Sequence, residues 1–183
     1  MAHVMIDLET MALTVDAAVV QIGAVVFDPE SGQLGSELSL HVQLDQGRRI
    51  DADTVLWWMR QEGARTALLA GQAEAKPLPQ ALLGFDFWLQ TRTPLTVWSH
   101  GATFDLPILE HCYRGQQLRV PWGYRAARDT RTVFDLAGVS ADGAVDALVG
   151  PLVEGELKHD ALVDARRQAR AVCEAVRRIR RSA

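Results

Sequence analysis

Cysteine is scarce in this chain, apolar runs are short, and positive charge is not in excess. The two cysteines among 183 residues, Cys112 and Cys173, lie far apart and outside any C-x-x-C pattern. Neither a zinc site nor a redox pair is expected from them, and both read as reduced, buried thiols. No apolar stretch reaches the roughly 18 residues that a membrane-spanning helix needs. Asp7 and Glu9 interrupt the one early apolar segment, so no secretory leader is expected and the predicted location is cytoplasmic. Nineteen Lys and Arg against 23 Asp and Glu give a net charge of -4, the wrong sign for a protein that coats nucleic acid over a broad basic face. A short single-stranded end needs no such face. Eight basic residues from Lys158 to Arg181 fall in the last 26 positions, where a solvated helix face and a nucleic-acid track are both open readings. Clustered acids, in turn, can be neutralised by bound cations.

Internal repeats and low-complexity tracts are absent too, and the length suits one domain, residues 1–183, with a substantial core. The first 44 residues read as three strands, ending at Leu8, spanning Ala18 to Phe27, and spanning Leu34 to Leu44. Asp28-Pro-Glu-Ser-Gly32 turns between the last two, which predicts an antiparallel meander. Asp51 or Asp53 can cap a helix through about Leu69, and a second runs from Leu78 to about Gln90. Pro94 to Ser99 reads as a short buried strand, followed by a turn at Gly101 and a helix from Asp105 to about Tyr113. An extended piece is expected near Val120, an Asp129-capped helix through Ala137, and loop from Gly138 to Glu156. Leu162, Ala165, Ala169, Val172, Val176 and Ile179 recur at three- and four-residue steps, which predicts a long closing amphipathic helix with arginines opposite. Meandering strands followed by alternating helices and strands indicate an α/β layered structure with a mixed sheet.

Four carboxylates and one histidine carry the chemistry: Asp7, Glu9, Asp105, Asp164 and His159. In a strand, alternate residues project from one face, so Asp7 and Glu9 can reach one ion together, and unpaired they would be costly to bury. Magnesium prefers oxygen ligands, and manganese can occupy the same set. An imidazole titrates near neutral pH, which suits His159 as a general base taking a proton from an attacking water. On a continuous helix a five-residue step would put His159 and Asp164 about 140° apart, so His159 is placed just before the helix. Taken singly, each residue also has a plain structural reading as a solvated strand end, a helix-initiating acid or a surface histidine.

The order DLET, SHGATFD, HDALVDA resembles the DEDDh branch of the DnaQ-like 3′-to-5′ exonucleases. The stretches MIDLETMA, AAVVQIGAVVFD, TVLWWMRQ, and PW followed by RDTRT resemble its small phage and bacterial exoribonuclease subfamily. The likeness runs from about Val4 to Ala171, and five ordered residues in matching contexts make it specific. It implies a ribonuclease H-like fold and a metal-dependent 3′-to-5′ exonuclease releasing nucleoside 5′-monophosphates from single-stranded RNA, or DNA, 3′ ends. Two magnesium ions would act in line, with Asp7 bridging both, Glu9 and Asp164 completing one site, and Asp105 supporting the other. A homodimer is implied by analogy alone. A non-catalytic nucleic-acid-binding module, or a proofreading subunit of the same fold, is the alternative.

Expected substrate contacts come largely from the same resemblance. Thr10 and Met11 would meet the terminal nucleotide, although ordinary core packing accounts for Met11 equally well. Adjacent helical residues point about 100° apart, so one of Trp57 and Trp58 can stack on a base while the other enters the core. His100 and Phe104 are expected to line the cleft. His100 is a departure: the subfamily has asparagine in VWGNGAxFD, and the wider group has asparagine after the histidine, where Gly101 stands here. Contacts to the terminal sugar, and with them the choice of RNA over DNA, do not carry over. Helix capping and packing suffice to explain Asp129-Thr130-Arg131-Thr132.

Overall fold

A computed structural model describes residues 2–90, 95–140 and 142–182. Strands β1 (Ala2–Thr10), β2 (Val19–Phe27) and β3 (Leu34–His41) form the antiparallel meander, with Asp28 and Ser31 closing the second turn through a side-chain hydrogen bond of 2.6 Å. Strand β4 (Leu95–Ser99) pairs parallel to β1, and β5 (Ala127–Asp129) parallel to β4. The sheet order is β3-β2-β1-β4-β5. The α/β mixed sheet is therefore the one expected. Pro94, the first residue of the expected fourth strand, lies outside the described residues.

Alternation along β1 builds both layers. Val4, Ile6 and Leu8 enter a core with Leu82 and Phe85 of α3 (Leu78–Leu89) and Leu106 and Leu109 of α4 (Asp105–Gly115). Met5 points to the other face, where Ala165, Ala169 and Val172 of the closing helix cover it. Asp7 and Glu9 continue that second row toward the strand's carboxyl end. Among the described residues no helix is long and apolar enough to cross a membrane, and Cys112 and Cys173 are buried free thiols.

Four expectations need correction. The helix after Asp51 is two, α1 (Ala52–Arg60) and α2 (Glu62–Gln72), broken at Gln61, whose backbone (φ -90, ψ 79) leaves the helical region. Asp51 sits at the cap position but makes no side-chain cap bond, because its carboxylate is held by Arg49 at 2.7 Å. No strand forms near Val120; the extended piece comes later, as β5, where pairing with β4 imposes it on Ala-Arg-Asp. The expected loop from Gly138 to Glu156 contains α6 (Ala144–Val149), whose Ala144 and Leu148 pack with the closing helix in the second core. Asp129 caps α5 (Thr130–Leu136) as expected, its side chain accepting from the Arg131 N–H.

The closing helix, α7 (Ala161–Ser182), lies across β2 at Gly23. A Cβ at Gly23 would sit 2.1 Å from the Ala161 carbonyl carbon, far inside contact distance. Gly23 is also the partner of Asp7 across the β1–β2 ladder, so the missing side chain lets the first turn of α7 settle over the carboxylate strand. Gly23→Ala is expected to destabilise the fold by about 1–3 kcal/mol, the cost of overpacking a tight interior, as read by denaturant unfolding.

Candidate active site

The end of β1 delivers Asp7 and Glu9, with Glu9 buried and Asp7 half-buried. Asp105 opens α4 and is 4% exposed. Its carboxylate accepts a hydrogen bond from the backbone N–H of Leu8 at 3.1 Å, so it is tied to the residue between the two acids of β1. Asp164 lies in the first turn of α7 and accepts from the backbone N–H of His159 at 3.1 Å. Ligand atoms of Glu9, His159 and Asp164 all lie within 4.8 Å of one another. His159 precedes the helix, as its spacing required, and adopts the left-handed backbone with φ 64, a strained conformation for a residue with a side chain.

Two side chains of β2 hold the start of α7 over these acids. Gln21, 4% exposed, accepts from the Ala161 N–H at 3.1 Å and donates to Asp160 at 3.3 Å. Asp160 in turn accepts from the N–H groups of Leu162 and Val163, both at 3.0 Å, which caps the helix. Gln21 and Gly23 belong to the stretch AAVVQIGAVVFD, so a buried amide and a glycine inside an apolar strand were the visible signal of this docking.

Electrostatically the four acids form a cluster in which mutual repulsion and burial outweigh the pull of more distant cations. None of the four takes part in an ion pair among the described residues. Burial, and then the charges of Asp105, Glu9 and Asp164, push Asp7 well above the usual carboxylate range. Burial with Asp164 and Asp105 pushes Glu9 up to about 9. Burial raises Asp105 to about 7 against the pull of the Leu8 N–H, and Asp164 to about 6 against that of the His159 N–H. His159 moves the other way, lowered by burial and then by Lys158, which favours the neutral imidazole at pH 7. A set of all-oxygen acids under mutual repulsion, held by separate elements, is the donor set that fits hard divalent cations.

Beside the acids opens a largely apolar cavity of about 380 Å³, whose walls include Glu9, Thr10, Trp57, Trp58 and Phe104. The two tryptophans divide as helical geometry requires. Trp58 is 4% exposed and donates from Nε1 to the Thr10 carbonyl at 3.0 Å. Trp57 is 38% exposed and meets the His159 ring edge to face, centroids 4.7 Å apart. Thr10 is buried, its hydroxyl donating to the Ala12 carbonyl at 2.8 Å. Met11 lies away from the cavity, in a core cluster with Ala18, Val20, Trp58 and Ala64. His100 faces a different cavity, on the α6–α7 side, and its Nδ1 lies 2.8 Å from the Thr130 hydroxyl. The arginines of α7 are not all solvated: Arg167 is buried and bonds to Asp146 at 2.5 Å and the Gly150 carbonyl at 2.6 Å. Arg166 pairs with Glu37 and Arg180 with Glu30, which weakens the reading of this helix as a nucleic-acid track.

Gln168 was not among the expected residues. It is 7% exposed, and its Nε2 donates to Asp7 Oδ1 at 2.7 Å. Its buried Oε1 has no hydrogen-bond partner among the described residues, an orphan of the kind a ligand or its hydration shell satisfies. One turn beyond Asp164 on the same helix, its position was readable only as one more polar residue. Gln168→Ala is expected to weaken divalent-cation binding by about 10- to 100-fold, as losses of groups that orient metal ligands do, measured by calorimetric titration with manganese.

The 3'-5' exoribonuclease Rv2179c-like domain model matches residues 2–176 of the chain. No curated protein matches it in sequence. Among solved structures it is similar to the nuclease domain of 3'hExo, a DEDDh family member bound to rAMP, with a TM-score of 0.71, 13% identity, and coverage of 96% of this chain and 92% of that one. It is similar also to Exonuclease X in complex with 5' overhanging duplex DNA, with a TM-score of 0.63 at 18% identity over 96% and 91% of the two chains. E. coli Exonuclease I in complex with a dT13 oligonucleotide gives a TM-score of 0.68 at 12% identity, over 92% of this chain and 39% of that one. Likenesses at these identities establish the ribonuclease H-like fold.

Proposed function

Because this chain belongs to the family of Rv2179c-like 3′-5′ exoribonuclease domains and is a 3′-5′ exonuclease, we propose that it removes nucleotides from single-stranded 3′ ends, RNA before DNA, as nucleoside 5′-monophosphates. The observation that supports this reading is an acid cluster drawn from β1 (Asp7 and Glu9), α4 (Asp105) and α7 (Asp164), with His159 in the turn before α7 and an apolar cavity opening at Glu9.

Asp7, Glu9, Asp105 and Asp164 would hold magnesium, or manganese in its place. Bound there, the cations stabilise charge on the attacking and leaving oxygens of an in-line displacement. The protein's own groups do the rest. Phe104 and the exposed Trp57 offer apolar faces for the terminal base, and stacking of this kind contributes about 1–3 kcal/mol per base. The cavity walls exclude water from the base and its sugar while leaving the acids at the rim. His159, neutral at pH 7 and within reach of Glu9 and Asp164, accepts the proton of the attacking water. Its backbone N–H, bonded to Asp164, ties the position of the base to that of a ligand.

Digestion of matched RNA and DNA strands with free 3′ ends, resolved to the nucleotide with magnesium or manganese, tests this reading. A ladder shortening from the 3′ end, faster on RNA and stopped by EDTA, supports it. Strands that are retained but never shortened would instead support a binding module.

A further inference from the structure

The segment Asp129-Thr130-Arg131 joins β5 to α5, and two of its three side chains fasten it to the turn that leads from β4 to Asp105. Asp129 Oδ2 accepts from the Ala102 N–H at 2.8 Å, and its Oδ1 accepts from the Arg131 N–H at 2.7 Å. Thr130, wholly buried, meets His100 Nδ1 through its hydroxyl at 2.8 Å. Capping would need only one of these bonds. The second and third hold α5 in register with the active-site turn, and so fix where Arg131 stands.

Arg131 stands over Gly101. A Cβ built on that glycine would lie 3.1 Å from Arg131 Nη1, and the glycine's φ of 98 is one that side-chain-bearing residues avoid. The space above Gly101 is therefore filled by a guanidinium rather than by a side chain of the turn. Arg131 is near enough to Asp105 and His100 to act on the charge of both. Yet it is exposed, and among the described residues no carboxylate or carbonyl takes its side chain. Asp129, the adjacent acid, spends both oxygens on backbone N–H groups. Elsewhere Arg49, Arg114, Arg166, Arg167, Arg177 and Arg180 each pair with an acid. An arginine whose backbone is held at the rim of an acidic cluster, with its fork of donors left open, suits an anion that arrives with the substrate.

We propose that Arg131 binds the phosphate on the 5′ side of the penultimate nucleoside, one step upstream of the bond that is cut. The inference rests on the exonuclease reading above. With the terminal nucleoside in the cavity beside Glu9 and the scissile phosphate at the acids, a strand continuing past Asp105 meets Arg131, which has no acid partner among the described residues. The contact is independent of base identity, since it reads only backbone charge.

Two diadenosine substrates separate this contact from everything else. ApA carries the scissile phosphate alone, and pApA adds only the 5′ phosphate that Arg131 would hold. The wild-type protein is expected to show kcat/KM for pApA at least tenfold above that for ApA, the gap narrowing as salt rises. Arg131→Ala is expected to close the gap through KM, while Arg131→Lys, which keeps the charge without the fork, restores part of it. Equal wild-type rates on ApA and pApA, or a gap that survives in Arg131→Ala, overturn the assignment. A wild-type protein that leaves both dinucleotides and longer RNA intact would sink the exonuclease reading itself, a distinct result.

Discussion

Asp7→Asn is expected to lose nuclease activity by about 10³-fold or more while its metal-free fold becomes more stable than the wild type. Removal of a single preorganised donor from an active site costs about 10²–10³ in rate, and Asp7 lies within the acid cluster, subject to the charges of Asp105, Glu9 and Asp164 together. The stability gain has the same origin. Without a cation, burying a carboxylate beside three more is unfavourable, and asparagine keeps the shape and the bond from Gln168 without the charge. A higher Tm in the metal-free protein follows, because the variant no longer carries the carboxylate that burial and its three neighbours disfavour. Thermal melts in EDTA and 3′-labelled RNA digestion read the two effects on one preparation. A variant both inactive and less stable than the wild type would show that Asp7 serves the fold rather than a cation.

The second large effect is on the pH dependence of stability. A carboxyl whose folded pKa lies above its unfolded value binds protons more tightly when folded. Its cost is absent below the unfolded value, grows as pH rises between the two, and is complete above the folded one. For Glu9 that window runs from 4.5 to about 9, and for Asp105 from 3.8 to about 7. His3, His100 and His159, all lowered by burial, act oppositely: the unfolded chain takes up their protons below 6.5, so stability also falls on the acid side. Between pH 6.5 and 9 the carboxylates act without that competition, and the metal-free protein should lose Tm steadily. Magnesium, by offsetting the charge, should raise Tm more at pH 8.5 than at pH 6. A metal-free Tm that climbs across this interval would contradict the assignment of the cluster.

Much of the fold is written in local patterns. Asp28-Pro-Glu-Ser-Gly32 marks a turn by its own chemistry, and apolar alternation on either side makes the meander legible. The apolar period of α7 is likewise visible, because a helix covering a sheet needs a continuous stripe. Elements specified by their neighbours were not visible. Strand β5 is three residues long and extended because β4 offers it a ladder, and α6 owes its six residues to the surface of α7. The break at Gln61 follows no proline or glycine at that position.

The site divides in the same way. The acids and His159 stand out because charged groups in apolar contexts are rare; the fold sets ligand atoms of Glu9, His159 and Asp164 within 4.8 Å of one another and leaves Asp7 and Asp105 close enough for the carboxylates to repel one another. The residues that hold them there are quieter. Gln21, Gly23 and Gln168 act through a buried amide, a missing side chain and a second amide, each ordinary as a letter. Their roles appear only when β2 and α7 are laid together. Arg131 looked like part of a helix cap until Asp129 and Thr130 accounted for the cap and left its guanidinium without a partner.

Calorimetric titration of the wild-type protein with manganese, in the presence of a nucleoside 5′-monophosphate, measures the central claim most directly. Two ions per chain are expected, with binding abolished or reduced to one by Asp7→Asn. A wild-type protein that takes up no ion while still shortening RNA would contradict the account.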